Sequence, residues 1–109
     1  MAVDQTVDQQ FRDCMPLFIA FGDEVRLSII SVLSQAHMEG NYKGLNVNEI
    51  TMQTNLSRPA ISHHLKILKD SGLVGIIQDG TANYYHATLL EGTRQLMNLG
   101  FLIQEVVYR

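Results

Sequence analysis

The sequence predicts a mainly α-helical domain with one small β-hairpin: about five helices beside a two- or three-stranded antiparallel sheet. Three observations carry that expectation. Apolar residues recur at helical spacing before residue 37 and again after residue 88. Between these stretches, Asn46–Ser71 reads as a short helix, a tight corner and a longer helix. Immediately after Gly72, two β-rich runs, LVGIIQ and YYHAT, flank the turn-forming stretch DGTAN. At 109 residues and 46% apolar content the chain suits one core and one domain, 1–109.

Each element follows from local chemistry. Val7, Phe11, Cys14, Met15, Phe18 and Phe21 fall three or four apart, one face of a first helix within residues 4–21. Pro16 predicts a kink there, or a helix that starts nearer Met15 than Asp4, because its ring removes a donor and crowds the preceding turn. Gly22-Asp23 is a break followed by an N-cap, with Glu24 at the positive end of the next dipole. The second helix, Glu24–His37, is apolar around much of its circumference, as expected of a helix enclosed by neighbours. MEGNYKG (38–44) is the longest loop. Leu45–Val47 has the character of a short strand, and Asn46 with Glu49 starts a helix over Val47–Thr54 as a capping box. Ser57 caps the next helix and Pro59 sits in its first turn, where a missing N–H costs nothing. That helix buries Ile61, Leu65 and Leu68 and stops at Gly72. Thr88 with Glu91 predicts a second capping box before a last helix, Leu89–Tyr108. Leu89, Leu96, Leu99, Ile103 and Val106 make a seam on it that calls for a partner. Gly92 and Gly100 leave room on the same helix for either a close helix approach or a small ligand.

Composition excludes several functions. Eight Lys and Arg against eleven Asp and Glu give a net charge of −3, which argues against broad polyanion binding. The charge is segregated, however: five acids and only Arg12 lie in the first 24 residues, whereas Arg58, Lys66 and Lys69 fall within twelve with no acid between them. The lone cysteine, Cys14, rules out an internal disulfide and a four-cysteine zinc site. No leader pattern and no apolar run approaching the roughly 18 residues of a membrane span is present, so a cytoplasmic location without membrane contact is expected. There is no Gly-rich phosphate loop and no nucleophile spaced against a base, so no catalytic residue and no cofactor is expected.

The strongest signal is the helix, turn and helix over Asn46–Ser71 followed by a hairpin, a winged helix-turn-helix pattern. A helix enters a major groove when one side is buried in the domain and the other offers short hydrogen-bonding groups and cations. Helix 58–71 meets that demand. Ser57, Ser62 and His63 are short enough for base edges near its N-terminal half, while Lys66 and Lys69 suit phosphates and Arg58 a phosphate or a guanine. His64, about 100° from His63, reads as a partly buried packing residue and cannot chelate an ion with it. On the wing, Asp79, Gly80, Thr81 and Asn83 occupy the tip, and from Leu73 to Thr88 there is no Lys or Arg. Asn83, Gln78 and Thr81 remain as phosphate donors, and the affinity should be modest and salt-dependent.

FIAFGDEVRLSIISVL (18–33), NVNEITMQTNLSRPAISHHLKILKDSGLV (46–74) and the hairpin ending YYHAT resemble the ArsR/SmtB family of bacterial winged-helix repressors. The specific part is SRPAISHHLKILKDSGLV, Ser57–Val74. Glu24 stands where that family commonly has Pro. The resemblance implies a homodimer built from first and last helices, here Phe11 and Met15 with Leu96, Leu99, Ile103 and Val106. It implies two recognition helices on a palindromic double-stranded operator, repression by occluding a promoter, and room for an unidentified small-molecule inducer. Relatives commonly bind metals through Cys-x-Cys before the recognition helix or Asp and His on the last helix. Here NEITMQT and LLEGTRQLMNLGFLIQEVVYR hold neither Cys nor His, so no metal is expected at those places. Two alternatives stand beside the DNA reading: a winged-helix module turned to protein interaction, and a thiol-responsive regulator using Cys14.

Overall fold

The computed structural model describes residues 5–108; Met1–Asp4, including the predicted helix start at Asp4, and Arg109 lie outside the described residues. The elements run α1 (Gln5–Asp13), α2 (Met15–Phe21), α3 (Glu24–Met38), α4 (Val47–Thr54), α5 (Arg58–Asp70), β1 (Val74–Asp79), β2 (Ala82–Ala87) and α6 (Leu90–Val107).

The predicted first helix is two helices. Cys14 N–H closes α1 on the Gln10 carbonyl, and the chain restarts at Met15 with Pro16 in the first turn, where its ring has no i−4 carbonyl to meet. Asp23 caps α3 by accepting from the Arg26 N–H at 3.1 Å, as the Gly22 break predicts. Only part of α3 is enclosed: Ile29, Ile30, Leu33 and Ala36 are buried, but Leu27 is 44% exposed, so its wide apolar circumference overstates its cover.

The α4–α5 unit forms as its caps dictate. Asn46 and Glu49 exchange both capping-box bonds. Asn55 turns the corner in the left-handed conformation at φ 58°, and Ser57 Oγ accepts from Ala60 N–H. Ile61, Leu65 and Leu68 are buried, which anchors α5 by one side. The hairpin is tighter than predicted: Asp79 and Ala82 pair across Gly80-Thr81, and Asn83 pairs with Gln78, so Asp79 and Asn83 are strand residues. Gly80 takes φ 64° at the tip. The possible strand at Leu45–Val47 reduces to one bridge, in which Leu45 and Tyr85 exchange backbone bonds of 2.9 and 2.8 Å.

At α6 two expectations change. Thr88 does not cap; its hydroxyl donates to the Gly72 carbonyl, and Leu89 starts the helix without a side-chain cap. The predicted seam turns largely inward. Leu99 is only 5% exposed and belongs to the chain's own core, with Leu89, Leu96 and Ile103 packed against it. Gly92 explains the approach: a Cβ there would lie 2.9 Å from Leu73 Cδ2 and 3.1 Å from Leu17 Cδ2, whereas Gly100 faces open space. The side of α6 left uncovered carries Leu90, Met97 and Phe101; Met97 and Phe101 suit core or dimer packing by sequence, and both lie outside the core.

Candidate nucleic-acid interface

The buried stripe of α5 fixes which of its side chains face outward. Ser57, Arg58, Ser62, His63, Lys66 and Lys69 are all exposed, as the helical spacing predicts. Ser62, Lys66 and Lys69 line one wall of a groove of about 310 Å³, and Ile76 and Tyr85 of the hairpin line the other. The outer side of α5 and the wing therefore border one continuous surface. Lys66 donates to Asp70 at 3.1 Å across a wholly exposed i, i+4 pair. Such a pair contributes little and yields readily to a phosphate. Among the described residues Arg58 and Lys69 enter no ion pair.

His64, half-buried, is the link between this helix and the rest of the molecule. Its Nδ1 lies 3.1 Å from Arg26 Nη1. Arg26 is 8% exposed; by sequence it belongs to the family-like segment Gly22-Asp23 to Arg26-Leu27, which assigns it no role. Its guanidinium also donates to the carbonyls of Ile19 at 2.8 Å and Ala20 at 3.0 Å. These carbonyls end α2 and have no partner within it, so one cation caps α2 and holds α5. An arginine donor requires His64 Nδ1 to accept, which places the ring proton on Nε2. The Arg26 N–H, with the Arg26 charge behind it, holds the Asp23 carboxyl below its ordinary range against a smaller opposing effect of desolvation.

The wing residues Asp79, Gly80, Thr81 and Asn83 are exposed together at the hairpin end. The sequence reading found no cation here, and the hairpin has none, but Lys43 arrives from the α3–α4 loop. Its Nζ bonds Asp79 Oδ2 and stands 4.1 Å from the Tyr84 ring centroid. Tyr84 and Tyr85 alternate as strand neighbours must, Tyr84 beneath Lys43 and Tyr85 against the core.

Cys14 is 1% exposed, and burial, then the charge of Asp13, pushes its thiol up, away from a reactive thiolate. Its Sγ faces the Gln95 carbonyl of α6 at 3.9 Å. The geometry therefore opposes the thiol-switch alternative. Among the described residues no three His, Cys, Asp or Glu side chains gather to hold a metal ion, and no helix is long and apolar enough to cross a membrane.

Comparison with known proteins agrees with this geometry. The profile for "Bacterial regulatory protein, arsR family" matches residues 23–75, from the α3 cap to the start of the wing. An uncharacterised HTH-type transcriptional regulator of Methanocaldococcus jannaschii is 35% identical over 78 residues, 72% of this chain and 81% of that protein. The uncharacterised HTH-type regulator YceK of Bacillus subtilis is 34% identical over 95 residues, 87% of this chain and 86% of that protein. Among solved structures, an ArsR-like transcriptional regulator from Rhodococcus sp. RHA1 superposes with a TM-score of 0.71 at 25% identity, covering 90% of this chain and 89% of that one. The chain thus belongs to the ArsR family of bacterial regulatory proteins and is a DNA-binding transcription regulator of the winged helix-turn-helix type.

Proposed function

We propose that the protein is a cytoplasmic homodimeric repressor that places α5 of each subunit in successive major grooves of an inverted repeat. The observation that carries this reading is the outward side of α5: short polar groups at Ser62 and His63 and cations at Arg58, Lys66 and Lys69, opposite a fully buried stripe. Ser62 and His63 read base edges, Lys66 and Lys69 hold phosphates, Arg58 serves either, and Ser57 presents the helix N-terminus to the backbone. The role is binding rather than catalysis.

Shape and surface support self-association. The described chain has a radius of gyration of 16.4 Å and a long dimension of 54 Å, against about 13 Å expected for a compact chain of this length. Phe11 of α1 and Met15 at the start of α2 are exposed, and Leu90, Met97 and Phe101 (64% exposed) line α6. These residues, with half-buried Leu96, Ile103 and Val106 at the margins, form the surface a second copy covers. Leu99 acts from beneath, as core. Phe101→Glu is then expected to yield a folded monomer by sedimentation, whereas Leu99→Ala lowers subunit stability by about 2–5 kcal/mol. A small-molecule inducer has a natural place in the largely apolar cleft of about 680 Å³ between His37 and Met38 of α3, the hairpin base at Ala87-Thr88, and Leu90 and Glu91 of α6. Filling it pushes on the wing and on α6 together.

Selection of bound duplexes from random DNA tests the reading. Enrichment of an inverted repeat with half-sites about one helical turn apart is expected. Enrichment of a single unrepeated site contradicts the dimer geometry, and no enrichment at all favours a protein-interaction module.

A further inference from the structure

We propose that Lys43, from the α3–α4 loop, is the cation with which the wing holds a DNA phosphate. The inference rests on the reading that α5 and the wing face the duplex. It answers a conflict within that reading: the one side chain at the wing tip that is charged at neutral pH is the acid Asp79, which repels a phosphate backbone.

The loop is built to deliver this cation. Gly44 sits at φ 97°, and a Cβ there would lie 1.8 Å from the Tyr85 carbonyl oxygen, so the chain lies directly on β2 at a place only glycine permits. Asn41 closes the loop from the other side, its Nδ2 donating to the Gly44 carbonyl at 3.1 Å and its Oδ1 accepting from the Gly44 N–H at 3.3 Å. Next to it, Leu45 is bonded to Tyr85 through both its backbone groups. The root of Lys43 is thus fixed against the hairpin. Its ammonium stands over the Tyr84 ring and bonds Asp79, the last strand residue before the Gly80-Thr81 tip. The tip therefore carries a positive group that does not come from the hairpin.

The pair is not closed. An ammonium has three donors, and Asp79 accepts through one oxygen. The Tyr84 face takes up positive charge without consuming a donor. The remaining donors are available to a phosphate oxygen beside Thr81 and Asn83, both exposed. Bonding to Asp79 pushes the Lys43 amine above its ordinary range. The rival role is a fastener that ties loop to wing and touches no DNA. The two roles predict opposite signs at Asp79: a fastener is lost equally from either partner, whereas a phosphate cation is helped when the neighbouring acid goes.

The experiment measures affinity for a mixed-sequence duplex several turns long, as a function of salt, for Lys43→Gln, Asp79→Asn, Arg58→Ala and Lys69→Ala, each checked for an unchanged melting temperature. For each subunit engaged, Lys43→Gln is expected to lower the salt slope by about 0.9 and the affinity about eightfold near 0.1 M salt. Asp79→Asn is expected to tighten binding. If Lys43→Gln and Asp79→Asn weaken binding together, the fastener is right and the proposal falls. An unchanged Lys43→Gln alongside weakened Arg58→Ala and Lys69→Ala overturns the proposal and leaves the α5 interface standing. If all four match the parent protein, the underlying reading fails and the proposal with it.

Discussion

Replacing Arg26 by Ala removes three bonds at once. The guanidinium donates to Ile19 O at 2.8 Å and Ala20 O at 3.0 Å, and meets His64 Nδ1 at 3.1 Å. Hydrogen bonds with a charged partner contribute about 1.5–3 kcal/mol each, and more is lost when the group left behind stays buried. The contributions are not additive, and Ile19 is exposed enough for its carbonyl to regain water. A net loss of roughly 3–4 kcal/mol follows. Against the roughly 5–15 kcal/mol that hold a domain of this size, that is a large fraction. Urea unfolding is the assay: the midpoint should fall with little change in the slope of free energy against denaturant. Arg26→Lys keeps the charge but cannot fork to three acceptors, so it should recover about half of the loss. In folded Arg26→Lys, α5 is less firmly held and affinity for a selected DNA site should drop more than affinity for random duplex. An Arg26→Ala protein within about 0.5 kcal/mol of the parent would refute the argument that this side chain caps α2 and anchors α5.

Four further outcomes follow from the same structure. Because the Asp23 carboxyl is held below its ordinary range, its contribution to stability is complete above the usual aspartate range and is lost as pH falls through and below it; urea midpoints measured from neutrality down to about pH 3 should show this limb, and Asp23→Asn should flatten it. Gly44→Ala should cost several kcal/mol by thermal melting, because backbone strain at positive φ adds to a collision with Tyr85 O. Gly40→Ala, at φ 88° with nothing within 4 Å, should cost only the strain of about 1–2 kcal/mol. Cys14 in the native protein should react with a thiol reagent only as fast as the fold opens, and Cys14→Ala should leave DNA affinity insensitive to oxidant and unchanged.

What was legible in the sequence is what local chemistry alone decides. The Asn46–Glu49 capping box, the Asp23 and Ser57 caps and the Ile61, Leu65 and Leu68 stripe all form as read, because each depends on residues within one turn. Given that stripe, helical geometry placed Ser62, His63, Lys66 and Lys69 outward. Features that join distant segments were not legible. Thr88 has the right spacing for a cap, yet its hydroxyl goes to Gly72, brought near by the fold. The α6 seam has the periodicity of a helix that pairs with another chain, yet Leu99 is spent on the chain's own core because Gly92 lets α6 settle on Leu17 and Leu73. Lys43 and Asp79 are 36 residues apart, and Arg26 and His64 are 38 apart; no pattern of spacing announces either pair.

The central claim is that the outward side of α5 reads DNA with a division of labour along it. The most direct test compares affinities for a selected site and for random duplex across Ser62→Ala, His63→Ala, Lys66→Ala and Lys69→Ala. Loss of about 1–3 kcal/mol of discrimination is expected for each of the first two, and equal weakening on both duplexes with a shallower salt slope for the lysines. Four variants with indistinguishable effects on the selected and the random duplex would contradict it.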